Sequence, residues 1–278
     1  MLSEFIKQTS QLIKQSDIQL HVPMIVKIGD DNNLFSFSDS FSSASLSQNF
    51  LLNVFMFFGM LDAYVDSKYP SLVGGSYAQK LQQLPNTNLS ESVLKDVYRI
   101  YKVIRNASIH NAGSISSSED RISIQYLFKS TQYEIEISNK GLELLHSIVY
   151  EFIYPFERRS IAYAEMLRVS LLKALRSEVF RFNDEHAADL GSQVRDEYAY
   201  ALVRRYLIDN VDFTVEDNLL TIQNPHSLPP NEAGFYGVDY KIQIEGDIYL
   251  VPFEAMNNGT ITLDKLSTWV LSNEPSVL

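Results

Sequence analysis

SESVLKDVYRIYKVIRNASIHNAG, residues 90–113, is the stretch that decides how this chain folds. An α-helix turns about 100° per residue, and at that spacing the apolar residues of the stretch gather on one side and its cations on the other. Glu91 in the first turn and Gly113 after the last turn are typical signals for the start and end of a helix. The stretch therefore predicts an amphipathic helix whose apolar side enters a core. The residues on that side are Leu94, Val97, Ile100, Tyr101, Ile104 and Ala107.

The opposite side of the predicted helix is basic. Arg99, Lys102, Asn106 and His110 fall within an arc of roughly 80°, and Arg105 lies at the edge of that arc. Most basic helical faces are simply solvated, and that interpretation stays open here.

Two apolar residues, Val103 and Ile109, flank the basic stripe, one on each side. Apolar residues beside a charged stripe indicate that another surface covers it, and a second protomer would serve.

The segments before this helix predict a helical core with a small hairpin in front of it. Residues 47–67 carry apolar side chains almost all round a helix, which indicates a central, buried element that Tyr69-Pro70 ends. The other predicted elements here are a helix at 2–14, a hairpin formed by 18–28 and 33–38, a serine-rich linker or loop at 36–47 and a short helix at 75–84.

After Gly113 the hydrophobic period changes from helical to alternating. Apolar and polar residues alternate through 121–137, which predicts an antiparallel hairpin with one buried face. A helix should then run from Ser138 through Ile153, with Pro155 behind it. Further along, the pattern predicts helices at 157–182, 185–208 and 263–272, and strands at 211–215, 218–223, 238–244 and 247–252.

These elements together predict an α+β fold in three regions. Residues 1–45 form an N-terminal helix and β-hairpin, and residues 46–155 form a helical domain with the second hairpin inserted in it. Residues 156–278 form a mixed α+β region, which could sense a signal, inhibit the rest or bind a partner.

Composition narrows the possible functions. The chain has 278 residues, 45% of them hydrophobic, with a net charge of −11 and no cysteine. The hydrophobic fraction supports a real core, and the negative charge argues against nonspecific coating of nucleic acid or an anionic membrane. The absence of cysteine excludes disulfides, thiolate nucleophiles and cysteine-based metal sites.

Neither a membrane segment nor a metal site is expected from the sequence. The N-terminus lacks a signal-peptide pattern, and the richest apolar run, Val54 to Leu61, is short for a membrane span. We therefore expect a cytoplasmic protein with no membrane association. The histidines outside the motif helix show no metal-ligand spacing, so neither a metal nor a cofactor is predicted; they are His21, His146, His186 and His226.

Arg105 and His110 are the two residues whose chemistry most directly suggests a catalytic mechanism. Arginine binds phosphate through paired N–H donors, and histidine transfers protons near neutral pH. A phosphodiester can be cleaved by such a pair without a metal ion.

Arg105-Asn106, followed by three residues and His110, resembles the HEPN family. That family has helical bundles with an Arg-x(4–6)-His motif, often with Asn, Asp or His after the arginine. Leu61-Asp62-Ala63-Tyr64 is similar to the acidic and aromatic segment often found on the preceding long helix of the family. The resemblance covers about residues 46–155. The hairpin after the motif and the long C-terminal region depart from a minimal HEPN bundle.

The resemblance implies a metal-independent endoribonuclease that acts as a homodimer, with two motifs facing each other across a cleft. Such proteins serve in toxin–antitoxin, abortive-infection and CRISPR systems, so an antitoxin or other regulatory protein is a possible partner. Other family members have lost catalysis and act as binding or scaffold domains, which is the alternative function. In a third interpretation the motif is accidental in a structural α+β protein.

The implied roles can be assigned residue by residue. His110 would be the acid or base, Arg105 would bind the phosphate, and Asn106 would orient the ring or the phosphate. Arg99 and Lys102 would extend the basic track along the RNA strand. Asp62 would either hold Arg105 in position or pair two helices, and the second interpretation is slightly favoured.

Overall fold

A computed structural model describes residues 2–21, 25–28, 34–36, 49–110, 113–118, 120–153, 160–192, 194, 200, 202, 205–209, 211–223, 225 and 237–271. The fold is α+β, as predicted. Its helices are α1 (Leu2–Lys14), α2 (Phe50–Lys68), α3 (Tyr77–Gln83), α4 (Leu89–His110), α5 (Asn139–Ile153), α6 (Ile161–Glu178) and α7 (Leu263–Leu266). Its strands are β1 (Ile25–Ile28), β2 (Leu34–Ser36), β3 (Gly113–Ser117), β4 (Arg121–Phe128), β5 (Thr131–Ser138), β6 (Val179–Asn183), β7 (Arg205–Ile208), β8 (Phe213–Glu216), β9 (Leu219–Ile222), β10 (Gly237–Ile244), β11 (Asp247–Pro252) and β12 (Thr260–Thr262).

The predicted central helix is α2, and it forms the middle of a helical core. It contacts α1, α4 and α5, while α6 packs against α4 and α5. Its 19 residues are long and apolar enough to cross a membrane by length and composition alone, which the sequence analysis missed. Half of its most apolar window is buried inside the fold, and Val54 and Phe57 are fully enclosed. These contacts are those of a core helix.

A polar pair lies inside this helical core. The Tyr101 hydroxyl of α4 and Nδ1 of His146 in α5 share a hydrogen bond of 2.6 Å. The imidazole also stacks on Phe57, with 4.2 Å between ring centroids. Burial lowers the pKa of His146 to about 3, so this histidine is neutral at physiological pH.

The buried His146 should make the fold sensitive to mild acid. Between pH 6.5 and 3 the unfolded chain binds a proton at this residue and the folded chain does not, so stability falls as pH falls. At pH 5 the expected loss is about 2 kcal/mol relative to pH 8. Urea unfolding at both pH values should show a smaller pH dependence in His146→Gln than in the parent. Equal pH dependence of His146→Gln and the parent would contradict this account.

A four-stranded antiparallel sheet follows α4, in the order β3-β4-β5-β6. The predicted hairpin is its centre, and the alternating residues Ile122, Ile124, Ile135 and Ile137 are buried as expected. Strands β3 and β6 were not predicted. The helix predicted at 157–182 ends at Glu178, because the next five residues pair with β5 as strand β6.

A second, mixed sheet joins the two ends of the chain in the order β2-β1-β7-β10-β11. The predicted N-terminal hairpin is present as the β1–β2 pair, and β1 runs parallel to β7. Residues of the predicted regions 1–45 and 156–278 thus share one sheet. Helix α6, which was assigned to the third region, packs within the helical core. Strands β8, β9 and β12 form a small third sheet.

The prediction of a helix at 185–208 is wrong for the residues of this range that the structure describes. Residues 184–192 are irregular, and Arg205–Ile208 is the strand β7 between β1 and β10. Most of 193–204 lies outside the described residues, as does the serine-rich stretch from 37 on. The predicted last helix is shorter than expected, a single turn at Leu263–Leu266 followed by a 3₁₀ turn at Ser267–Trp269.

Candidate active site

Helix α4 carries the motif, and local sequence determines where it begins. At the start, the Asn88 side chain accepts a hydrogen bond from the Glu91 backbone N–H at 2.9 Å, which caps the first turn. Glu91 in turn accepts from the Thr87 backbone N–H at 2.9 Å. The apolar side enters the core as predicted, and Val97, Ile100 and Tyr101 are fully buried. The motif therefore lies in the last two turns of a well-anchored helix.

Arg99 does not face solvent. Its Nε and Nη2 donate to the two carboxylate oxygens of Asp184 at 2.8 and 2.9 Å, and Nη1 donates to Asp96 at 2.9 Å. Nη2 also donates to the Ala188 carbonyl oxygen at 2.8 Å. Burial alone would lower the pKa of Arg99, but the Asp184 and Asp96 carboxylates raise it. Arg99 is therefore a permanently charged group enclosed by its own chain.

Lys102 is also covered by the same chain. It forms an ion pair with Glu185, and its ammonium lies 5.9 Å from the centroid of the Tyr133 ring. Burial and the nearby Glu185 raise the pKa of Tyr133 to about 12. The surface expected to cover the polar stripe is thus supplied, over Arg99 and Lys102, by residues 184–192 and the sheet rather than by a second protomer. Arg99 and Lys102, which were expected to extend a basic track along the RNA strand, are instead paired with Asp184 and Glu185.

Arg105 lies in a different environment. Its guanidinium carbon is 4.7 Å from the centroid of the Tyr77 ring in α3, and its Nη1 donates to Oδ1 of Asn106 at 3.2 Å. No carboxylate among the described residues forms an ion pair with it, and its side chain is half-buried. Of the three cations predicted for the polar face, Arg105 is the one whose charge no described carboxylate neutralises.

Asn106 lies beside Tyr126 of strand β4, whereas Arg105 lies against Tyr77 of helix α3. Burial and Tyr133 raise the pKa of Tyr126, while the Asn106 amide beside the Tyr126 hydroxyl opposes that rise. Tyr126 stacks on Tyr133 with 4.8 Å between ring centroids. Arg105 and Asn106 therefore lie together, with Tyr77 next to the guanidinium and Tyr126 next to the amide.

His110 is the last residue of α4, and the position of its side chain lies outside the described part of the structure. Its convergence with Arg105 stays a prediction from the sequence. The backbone places it at the end of the helix that carries Arg105, and the strand β3 begins at Gly113.

Asp62 pairs helices within the described structure. It accepts hydrogen bonds from the Lys80 ammonium at 2.9 and 3.0 Å and from the Tyr98 hydroxyl at 2.7 Å. Lys80 also reaches Asp66 at 2.5 Å. These contacts join α2, α3 and α4, which corresponds to the second of the two roles considered for Asp62.

A possible metal-binding group lies close by but is already occupied by ion pairs. Asp184, Glu185 and His186 offer ligand atoms within 4.8 Å of one another. The first two carboxylates pair with Arg99 and Lys102, which leaves little negative charge for a cation. We assign no metal site to this cluster.

Sequence reasoning missed several residues around the motif. Tyr77 and Tyr133 lie far from Arg105 in the chain, and Asp184 lies directly before the helix that was predicted at 185–208. A signal was present, because an acidic segment at 184–189 is the natural complement of a basic helix face. Comparisons of the chain with protein-family models, with curated proteins and with solved structures gave no match.

Proposed function

We propose that this protein is a metal-independent endoribonuclease of the HEPN type that cleaves single-stranded RNA as a homodimer. The observation that carries the proposal is the state of Arg105. Its cation has no described carboxylate partner, lies against Tyr77 and Asn106, and belongs to the helix that ends at His110. A guanidinium in that state is available to bind an anionic group.

The proposed chemistry uses the nucleophile that RNA carries. A base removes the proton of a 2′-hydroxyl, and that oxygen attacks the adjacent phosphorus. The bond to the 5′-oxygen breaks, and an acid protonates this leaving oxygen, so the products are a 2′,3′-cyclic phosphate and a 5′-hydroxyl. Arg105 would stabilise the charge on the phosphorane-like transition state, and His110 would transfer protons. In a dimer, the two His110 side chains divide the acid and base roles.

A noncatalytic binding or scaffold domain is the second candidate, and one observation favours it. Arg99 and Lys102 are neutralised by Asp184 and Glu185 of the same chain, so the basic surface near the motif is small. RNA binding depends strongly on the number of phosphates neutralised by cations. A proposed nuclease must therefore act with Arg105 as its main phosphate contact, or displace residues 184–192.

The test is cleavage of a single-stranded RNA by the purified protein in EDTA. The parent should produce 2′,3′-cyclic phosphate ends, and His110→Ala or Arg105→Ala should cut at least about 100-fold more slowly. Matched control variants are His21→Ala and Arg181→Ala, which remove the same side chains from exposed ion pairs and should cut at the parental rate.

Three outcomes would contradict the proposal. A His110→Ala protein that cuts as fast as the parent excludes this mechanism, and loss of parental activity in EDTA indicates a metal enzyme. A parent that binds RNA or a protein partner without cutting supports the scaffold function. Growth on expression gives a parallel readout, because only a nuclease toxin should lose toxicity in Arg105→Ala.

A further inference from the structure

The contact between Tyr77 and Arg105 suggests a role for the short helix α3. We propose that Tyr77 is a positioning residue that holds the Arg105 guanidinium in place to receive an RNA phosphate. This inference rests on the proposed function, because the phosphate is the substrate assigned to Arg105 there.

Helix α3 is anchored at its start and in the middle of its seven residues. Before its first turn, the Ser76 side chain accepts from the Gln79 backbone N–H at 3.3 Å and Gln79 returns a bond to the Ser76 N–H at 2.9 Å. This capping box fixes the start of the helix immediately before Tyr77. In the next turn, Lys80 is 3% exposed and binds the Asp62 carboxylate of α2, and Leu81 is fully buried.

The Tyr77 ring is itself held in position by the core. Its centroid lies 4.9 Å from that of Phe58, a buried residue of α2. Phe58 in turn contacts Tyr98 and Tyr101 of α4. Tyr77 therefore bridges between the aromatic core of the bundle and the guanidinium of Arg105.

Contact with an aromatic ring suits a phosphate-binding arginine. An aromatic ring attracts a guanidinium through its π-electrons, without neutralising the charge or accepting the strong hydrogen bonds that a carboxylate would, so Arg105 keeps donors for an anion. Asn106 accepts one donor from Nη1, which fixes the rotation of the group within its plane. The remaining donors can bind two phosphate oxygens, and the side-chain freedom that binding would otherwise remove is already restricted.

The variants Tyr77→Phe and Tyr77→Leu separate this role from simple packing. Phenylalanine keeps the ring, so Arg105 should stay ordered and RNA cleavage should stay within about twofold of the parent. Leucine removes the ring, and cleavage should fall about tenfold. Tyr249→Leu, at a half-buried tyrosine in β11, is the control for tyrosine truncation elsewhere and should cut at the parental rate.

Two readouts test the positioning itself. The first is the heteronuclear NOE of the Arg105 Nε–H signal, assigned by its loss in Arg105→Lys, which should drop in Tyr77→Leu and not in Tyr77→Phe. The second is the double variant: in Arg105→Ala, adding Tyr77→Leu should change cleavage by less than about twofold, because Tyr77 acts through Arg105. An unchanged NOE in Tyr77→Leu, or an additive loss in the double variant, overturns the proposal. If the parent cuts no RNA, the nuclease function fails, and the NOE alone decides whether Tyr77 positions Arg105.

Discussion

Replacing Arg205 with alanine is expected to lower the free energy of unfolding by about 3 to 5 kcal/mol. Arg205 is fully buried in β7, and its guanidinium donates to the Asp239 carboxylate at 2.7 Å and to the Glu254 carboxylate at 2.8 Å. Burial alone would lower the pKa of Arg205, but these two carboxylates raise it. Removing the cation would leave Asp239, itself 1% exposed, as an uncompensated buried charge.

The Arg205 network also joins the sheet to the helical core, which adds to the expected loss. The Tyr163 hydroxyl of α6 donates to the Asp239 carboxylate at 2.7 Å. The guanidinium carbon of Arg205 lies 3.8 Å from the centroid of the Tyr200 ring. A change at Arg205 therefore disturbs contacts on three segments of the chain.

Gly237 offers a second way to break the same network. A Cβ atom at this position would overlap Nη1 of Arg205 and lie 2.5 Å from its Cζ. A free arginine would move aside at little cost, but here the guanidinium is held by two carboxylates. Gly237→Ala should therefore be nearly as destabilising as Arg205→Ala, and in the Arg205→Ala background it should cost less than about 1 kcal/mol.

Denaturant unfolding of the parent, the two single variants and the double variant measures this coupling. Arg181→Ala is the control, because its exposed ion pairs should contribute at most about 1 kcal/mol. Additive losses in the double variant would show that Gly237 and Arg205 act independently, and would contradict the account.

The same network illustrates what sequence reasoning could not reach. Arg205 fell in a predicted helix as an ordinary basic residue, and its partners lie 34 and 49 positions along the chain. Helical periodicity reports only one face of one element, so it cannot show that a cation is enclosed by distant carboxylates. Strand β6 was missed for a related reason. Its residues continue the helical pattern of α6, and only the pairing of Phe182 with Ile135 in β5 makes it a strand.

Local patterns predicted the parts of the fold that are determined locally. Helix α4 and the β4–β5 hairpin were predicted within a few residues, because their periods are strong and their ends carry caps or turns. For the candidate site, the sequence identified the polar face of α4 and the neighbourhood of Arg105 and Asn106. It predicted that another surface covers the polar stripe, but it could not show that the same chain covers Arg99 and Lys102, because the covering segment follows some 80 residues later.

Asp184→Ala should also be strongly destabilising, with an expected loss of about 3 kcal/mol in the free energy of unfolding. Arg99 is 5% exposed and would lose the carboxylate that receives two of its donors. Asp96 and the Ala188 carbonyl oxygen would still accept from it, so the expected value is at the low end for a broken buried pair. Asp189→Ala, at an exposed aspartate of the same segment, is the matched control and should stay within about 0.5 kcal/mol of the parent.

The pH dependence of stability checks the same ion pair. Burial would raise the pKa of Asp184, but the hydrogen bonds and charge of Arg99 lower it overall. The pair therefore stabilises the fold above the unfolded pKa of the carboxyl, and this contribution is lost as pH falls through the lower folded value. Denaturant unfolding from pH 7 down to pH 3 should show a smaller loss of stability in Asp184→Ala than in the parent, because both proteins keep the contribution of His146 and only the parent has this ion pair.

A double substitution distinguishes an uncompensated charge from a simple loss of contacts. Arg99→Met with Asp184→Leu replaces the pair by apolar side chains, and it should cost less than Asp184→Ala alone because no buried cation is left without its partner. Equal or greater destabilisation in the double variant would contradict this reason.

The Asp184→Ala variant also tests the nuclease proposal. If the substitution exposes Arg99, the protein should bind single-stranded RNA more tightly than the parent at low salt. Unchanged RNA affinity would mean that the 184–192 segment still covers α4 when its main ion pair is gone.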